Sequence, residues 1–167
     1  WRATQEGVPA VIVNPGIILG TGVEGNPLEL LCNQIDNGLL FYPKGATGYV
    51  TVEDVVQVLT ELMNSETENE RFILVAENWS YEQMLRRIAL IRKKRPPRIG
   101  LRKSWLQIAW GLEGILSLFG KRRFMTQALI SSLCDIKHIQ GNRIIKESSF
   151  KYSDIETYLI DHATKKD

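Results

Sequence analysis

The chain has few of the side chains on which most enzyme chemistry depends. Its 167 residues include two histidines and two cysteines. Cys32 and Cys134 lack metal-ligand spacing and sit among apolar helical residues, so they read as buried thiols of a cytoplasmic protein, with neither a disulfide nor a metal site expected. His138 and His162 have no partnering nucleophile signature, and His162 suits a favourable charge near a helix end. The sequence contains no G-x-S-x-G elbow, no H-E-x-x-H pair and no Walker loop, which excludes the hydrolase, zinc-protease and P-loop classes those motifs define. Glu53 and Asp54 are adjacent carboxylates, but neighbouring helical residues point in different directions, so a helix cap explains them better than acid/base work. No signal peptide is expected, and the sequence shows no repeat or low-complexity tract. The most apolar stretch, "SWLQIAWGLEGILSLF" at 104–119, falls short of the roughly 20 residues that span a bilayer and is interrupted by Gln107 and Glu113.

What is present fits a globular chain. At 44% hydrophobic it can bury one core or two small ones. The net charge of +2 conceals an asymmetry: residues 1–79 hold 3 basic and 11 acidic side chains, and residues 80–167 hold 18 and 8. Between Arg86 and Arg123 a run of arginines and lysines faces a single acid, Glu113. Cations at 102–103 and 121–123 flank the apolar stretch, so an interfacial helix on an anionic membrane surface is possible, but a helix packed in a cap is the favoured reading. No nucleic-acid partner is expected, because no recognised module accompanies the cations.

The elements follow from patterning. A strand at Ala10–Val13 runs into Asn14-Pro15-Gly16. A helix at Leu28–Ile35 ends near Asn37-Gly38, and a short strand is expected at Leu39–Tyr42. Thr51 to Asp54 reads as a capping box, with Val52, Val55, Val56, Leu59, Leu62 and Met63 on one helical face. "RFILVA" at 71–76 predicts a strand, and Ser80 with Gln83 forms a second box, with Trp79 stapled against Met84. Beyond the break at Pro96-Pro97, Ser104 and Gln107 form a third box ahead of an inward stripe of Trp105, Ile108, Leu112, Ile115 and Leu116. A fourth opens the last helix at Ser153-Asp154-Ile155-Glu156. Strands thus precede residue 80 and helices follow it, which predicts an α/β portion and a helical cap.

Gly20-Thr21-Gly22-Val23-Glu24-Gly25 matches the G-x-G-x-x-G pattern of dinucleotide-binding turns. No strand runs directly into it, Pro27 delays the next helix, and no acid lies between Asp36 and Glu53. It reads as an ordinary glycine-rich connection.

The order of "EGVPAVIVNPGIILGTG", "GYVTVEDVVQVLTELM", "ERFILVAENWSYEQMLRRIA" and "KRPP", with "FGKRRFMTQALISSL" and "NRIIKESSFKYSDIETYL" beyond, resembles the C-terminal half of the extended short-chain dehydrogenase/reductase family. This is the NAD-dependent epimerase/dehydratase family, and the likeness is greatest to its dihydroflavonol-reductase-like members. The resemblance implies an α/β fold, the C-terminal part of a Rossmann-type doubly wound parallel sheet with a mainly helical substrate-binding cap. Residues 1–22 would end the Rossmann domain, 23–50 form a substrate-lobe segment, 51–79 a Rossmann-associated helix and strand, and 80–167 the cap. It further implies that Asn14, Pro15, Gly16, Ile17 and Ile18 wall an NAD or NADP site, and that Asn26, Tyr42 and Tyr49 line a small-molecule substrate pocket.

Three departures matter. The family's glycine-rich phosphate loop is missing, and so is its catalytic Tyr-x-x-x-Lys pair, since no tyrosine here has a lysine four residues later. The family's usual histidine is replaced by Thr51. The chain is therefore expected to be a fragment with no catalytic residue of its own, inactive alone and without tight cofactor binding. Its strands at 10–13 and 71–76 should pair in parallel, with self-association through the exposed sheet edge around Val11, Val13, Phe72 and Leu74.

Overall fold

A computed structural model describes residues 5–21, 25–108, 126–147 and 150–164. The first strand, β1 (Ile12–Pro15), pairs in parallel with β5 (Arg71–Leu74), Val13 opposite Phe72 and Pro15 opposite Leu74. The expected parallel pair is thus present. It begins two residues later than the apolar pattern suggests, and it includes Asn14 and Pro15 instead of ending before them. A proline is tolerated there because β1 has β5 as its single partner among the described residues, which leaves its other edge unpaired.

The Gly16 N–H still bonds to Leu74 O at 2.9 Å, and the chain then changes partner. β2 (Ile17–Leu19) pairs in parallel with β4 (Ala46–Thr51), and β4 pairs antiparallel with β6 (Glu77–Ser80). The Pro-Gly step is therefore a strand-to-strand switch between two sheets. A side chain at Gly16 would place its Cβ 2.4 Å from the Gly48 carbonyl oxygen, so only glycine lets the two backbones approach this closely. "RFILVA" proves to be β5 alone. The polar tetrapeptide after it forms β6, which hydrophobic patterning could not find.

Between β2 and β4 lie α1 (Pro27–Asp36) and β3 (Phe41–Pro43). The latter is shifted two residues from the expected strand, and it pairs in parallel with β7 (Ile99–Leu101). α2 (Val52–Met63) is capped by Thr51, whose hydroxyl accepts the Asp54 N–H. The reciprocal half of that expected box is absent, because the Asp54 carboxylate is engaged elsewhere. Nor do all six apolar residues share a buried face: Val55 is buried and Val52 and Leu62 are half-buried, whereas Val56, Leu59 and Met63 are exposed, and Val58, outside the expected stripe, is fully buried.

α3 (Tyr81–Ile91) carries the complete capping box expected at Ser80 and Gln83. Trp79 packs against the cluster that contains Met84. Helical backbone at 103–108 starts before Ser104, and the Trp105 N–H bonds to Arg102 O. The third box is thereby displaced. Leu106 is buried there, while Trp105 and Ile108 face outward, against the expected stripe; its remaining members lie outside the described residues. α4 (Gln127–Cys134) and α5 (Arg143–Glu147) precede α6 (Ile155–Ala163), which Asp154 caps in place of Ser153 by accepting the Thr157 N–H at 2.7 Å.

Two cores result. One joins Leu19, Leu28, Ile35, Tyr49, Met84, Ile88, Ile155 and Leu159, so the last helix packs with β2 and α1. The other joins Val50, Val55, Val58, Phe72, Leu74, Ile144 and Phe150. Phe72 and Leu74 are buried, with the half-buried Val11 and Val13 packed against them, and Arg71 and Ile73 are the β5 residues that face out. No described helix is long and apolar enough to cross a membrane.

Candidate functional site

The strand switch lies at the C-terminal end of β1, where the chain leaves one sheet for another. Immediately beyond it is a cavity of about 450 Å³ lined by Ile17, Ile18, Gly20, Thr21, Asn26, Pro27 and Val52. β2 supplies the two isoleucines, the start of α1 supplies Asn26 and Pro27, and the start of α2 supplies Val52. Gly20 is needed close to that helix, since an added Cβ would stand 3.2 Å from Val52 Cγ1. Among the described residues the lining is apolar except for Thr21 and Asn26, and it contains no lysine or arginine.

Thr21 and Asn26 also line a second cavity of about 430 Å³, with Glu29, Cys32, Asn33, Arg92, Asp161 and His162. This one is polar. Arg92 is fixed by a two-point pair with Asp36, its Nε donating to Oδ1 at 2.9 Å, and it also donates to Ala163 O at 2.9 Å. Burial pushes the Cys32 thiol up, with Arg92 opposing, so it is no nucleophile at neutral pH. His162 stacks on Tyr158, with ring centroids 4.2 Å apart, and its Nδ1 lies 3.0 Å from Tyr158 O. The Tyr158 hydroxyl is buried, with Thr21 and Glu53 near it and no hydrogen bond within normal limits among the described residues. Burial and then the nearby Glu53 carboxylate push its pKa up to about 12, so it stays protonated at neutral pH.

The glycine-rich match is not a phosphate cradle. Asn26 caps α1 by accepting the Glu29 N–H at 2.9 Å, and the Glu29 carboxylate accepts the Gly25 N–H at 3.1 Å. A helix start already filled by its own carboxylate repels an anion.

The residues singled out in the sequence are distributed unevenly. Ile17, Ile18 and Asn26 meet around the apolar cavity. Asn14, Pro15 and Gly16 form the switch just before it. Tyr42 and Tyr49 line neither cavity; both are buried in the first core. Sequence reasoning missed Val52 and Pro27, although the Thr51 cap was a usable signal for the former. It also missed Arg92 and Asp161, which converge from elements far apart in the chain. Among the described residues no group of histidines, cysteines or carboxylates could hold a metal ion.

No protein-family model matches the sequence, and no curated protein matches it at a significant level. Solved structures do share its fold. A nucleoside-diphosphate-sugar epimerase from Pseudomonas aeruginosa is 18% identical with a TM-score of 0.75, over 98% of this chain and 52% of its own. A human epimerase family protein solved with NADPH is 15% identical with a TM-score of 0.70, over 93% and 48%. A UDP-N-acetylglucosamine 4-epimerase from Methanobrevibacter ruminantium, in complex with UDP-N-acetylmuramic acid, is 12% identical with a TM-score of 0.61, over 96% and 47%. The chain spans about half the length of these structures, and its α/β fold is that of Rossmann-type epimerases over that half.

Proposed function

We propose that the chain is the C-terminal, substrate-binding part of a cytoplasmic NAD(P)-dependent oxidoreductase or epimerase of the extended short-chain dehydrogenase/reductase type, acting on a hydroxyl or carbonyl group of a small molecule. The observation that carries this reading is the switch at Pro15-Gly16, which opens directly onto the apolar cavity walled by Ile17 and Ile18. Such a wall suits the face of a flat ring, and ligands of open α/β sheets sit at this end of the strands. A bound nicotinamide supplies hydride transfer. Asn14, Pro15, Gly16, Ile17 and Ile18 would hold its ring side, and Thr21 would present a hydroxyl to the substrate beside the α1 cap that Asn26 forms; Tyr42 and Tyr49 shape the lobe from within the core.

Among the described residues the same cavity offers no cation to a pyrophosphate, and the α1 start is closed by Glu29. Cofactor phosphates and the proton-transfer pair therefore come from sequence outside this chain. Residues 1–22 and 51–79 belong, in this account, to the dinucleotide-binding half, and 23–50 and 80–167 to the substrate lobe. The reading frame upstream of Trp1 tests it. A glycine-rich loop after a first strand, and a Tyr-x-x-x-Lys shortly before Trp1, are the expected result. An upstream frame encoding neither would contradict the proposal.

A further inference from the structure

The outer face of the β3/β7 ribbon serves neither cavity. Phe41 and Ile99 are directly paired in its parallel ladder, so their side chains stand on the same face. Tyr42, the next residue, turns inward and is buried. Phe41 is 46% exposed and Ile99 50%, beside Leu40 at 59%, whose carbonyl accepts the N–H groups of both Arg98 and Ile99. From β7 the chain passes directly into the helical backbone at 103–108, where Trp105 and Ile108 are also exposed, three residues apart on one helical face.

Every charged side chain from 83 to 108 is a cation. Three of them are neutralised: Arg86 by Glu82, Arg87 by Glu156 and Arg92 by Asp36. Lys93, Lys94, Arg95, Arg98, Arg102 and Lys103 are exposed and form no ion pair among the described residues. Lys44, just past β3, lies on the other face of the ribbon, its stem against Gly100 beside Tyr42. Arg98 before β7 and Arg102 and Lys103 after it thus border the exposed aliphatic and aromatic side chains.

We propose that this face docks on an anionic phospholipid bilayer, with Leu40, Phe41 and Ile99 at the acyl boundary and Arg98, Arg102 and Lys103 on the headgroups. Apolar area and clustered cations act together at such a surface, and Trp105 is a side chain suited to headgroup depth. A nucleic acid would take the cations but leave the aliphatic side chains without a partner. The inference is independent of the oxidoreductase reading.

The test is co-sedimentation of the 167-residue chain with vesicles of phosphatidylcholine alone or mixed with phosphatidylserine, at low and high salt. Binding to the mixed vesicles only, weakened by salt, is expected. Replacing Arg98, Arg102 and Lys103 together by glutamine should weaken partitioning about a hundredfold. The double change Phe41→Ser and Ile99→Ser should also release the chain, with its circular dichroism spectrum and melting temperature unchanged. Failure to bind anionic vesicles at low salt would overturn the proposal, as would full binding by both variants. So would tighter binding to nucleic acid than to vesicles, or loss of a dimer in the Phe41/Ile99 variant, which would assign the face to a second copy.

Discussion

The Asp54 carboxylate, in the first turn of α2, accepts the Ser153 N–H at 3.1 Å and the Ser153 hydroxyl at 2.8 Å, across 99 residues of sequence. Glu77 does the same service one step on, accepting the Ile155 N–H at 3.0 Å and the Trp79 indole N–H at 2.8 Å. With Asp154 as cap, three carboxylates meet the start of α6, where backbone donors and the helix dipole favour negative charge. This seats the last helix in the core shared by β2 and α1, and so closes the polar cavity. Because Asp54 is buried, Asp54→Ala leaves the Ser153 N–H without its partner and should cost about 3 kcal/mol, with Ser153→Ala costing about 1. Urea denaturation of the two variants measures both.

Alkaline pH should unfold the chain earlier than its charge suggests. Burial pushes Tyr152 and Tyr158 up to about 12 from the ordinary 10.0, and raises Tyr49 further. The folded state therefore holds these protons more tightly than the unfolded chain. Their contribution to stability is complete below pH 10.0 and is lost as pH rises through about 12. Ultraviolet titration of tyrosinate alongside melting temperature should show both changes moving together, above the ordinary tyrosine range.

At the acid end, the Thr157 side-chain and backbone donors hold the Asp154 carboxyl below its ordinary 3.8. A depressed pKa contributes stability above 3.8 that is lost as pH falls through the lower folded value. Asp154→Asn keeps an acceptor but does not titrate, so the acid limb of its stability profile should be shallower than that of the parent chain.

Gly16→Ala should damage the strand switch. The new Cβ would press on the Gly48 carbonyl, which is backbone and cannot swing aside. A loss of about 1–3 kcal/mol is expected, the usual cost of overpacking. Gly38→Ala, at a φ of +80° with open space around it, carries backbone strain alone and should cost less.

Local signals in the sequence were legible. Ser80 and Gln83 lie three residues apart and make the box their spacing implies, and Thr51 caps α2 as written. The parallel pairing of β1 and β5 was legible through the family resemblance, with the two apolar runs supplying the strands. Distant partners were not legible. Asp54 looked like half of a box because Ser153 cannot be inferred from a helix start. β6 is short and polar and β7 is a three-residue Ile-Gly-Leu between basic residues, and both become strands only because β4 and β3 lie beside them. Of the site, Ile17, Ile18 and Asn26 were legible through the resemblance, while Val52 and Arg92 depend on tertiary convergence.

The α2 stripe failed for an instructive reason. Val56, Leu59 and Met63 are 56%, 41% and 84% exposed at helical spacing, a face that would be covered if the chain is about half of a larger fold. The isolated chain should self-associate as its concentration rises. Val56→Glu with Met63→Glu should restore a monomer in sedimentation velocity at unchanged helicity, and self-association untouched by the pair would place the contact elsewhere.

The central claim is that this chain supplies the ring-side wall of an NAD(P) site whose phosphate-binding half lies outside it. Isothermal titration with NADH and NADPH tests it most directly, comparing the 167-residue chain with the polypeptide encoded by the frame extended upstream of Trp1, each with and without Ile17→Asp. The account predicts no tight binding by the chain alone, clear binding by the extended polypeptide, and loss of that binding in the Ile17→Asp variant with its fold retained. Tight binding by the chain alone, or an extended polypeptide that binds neither cofactor, would contradict it.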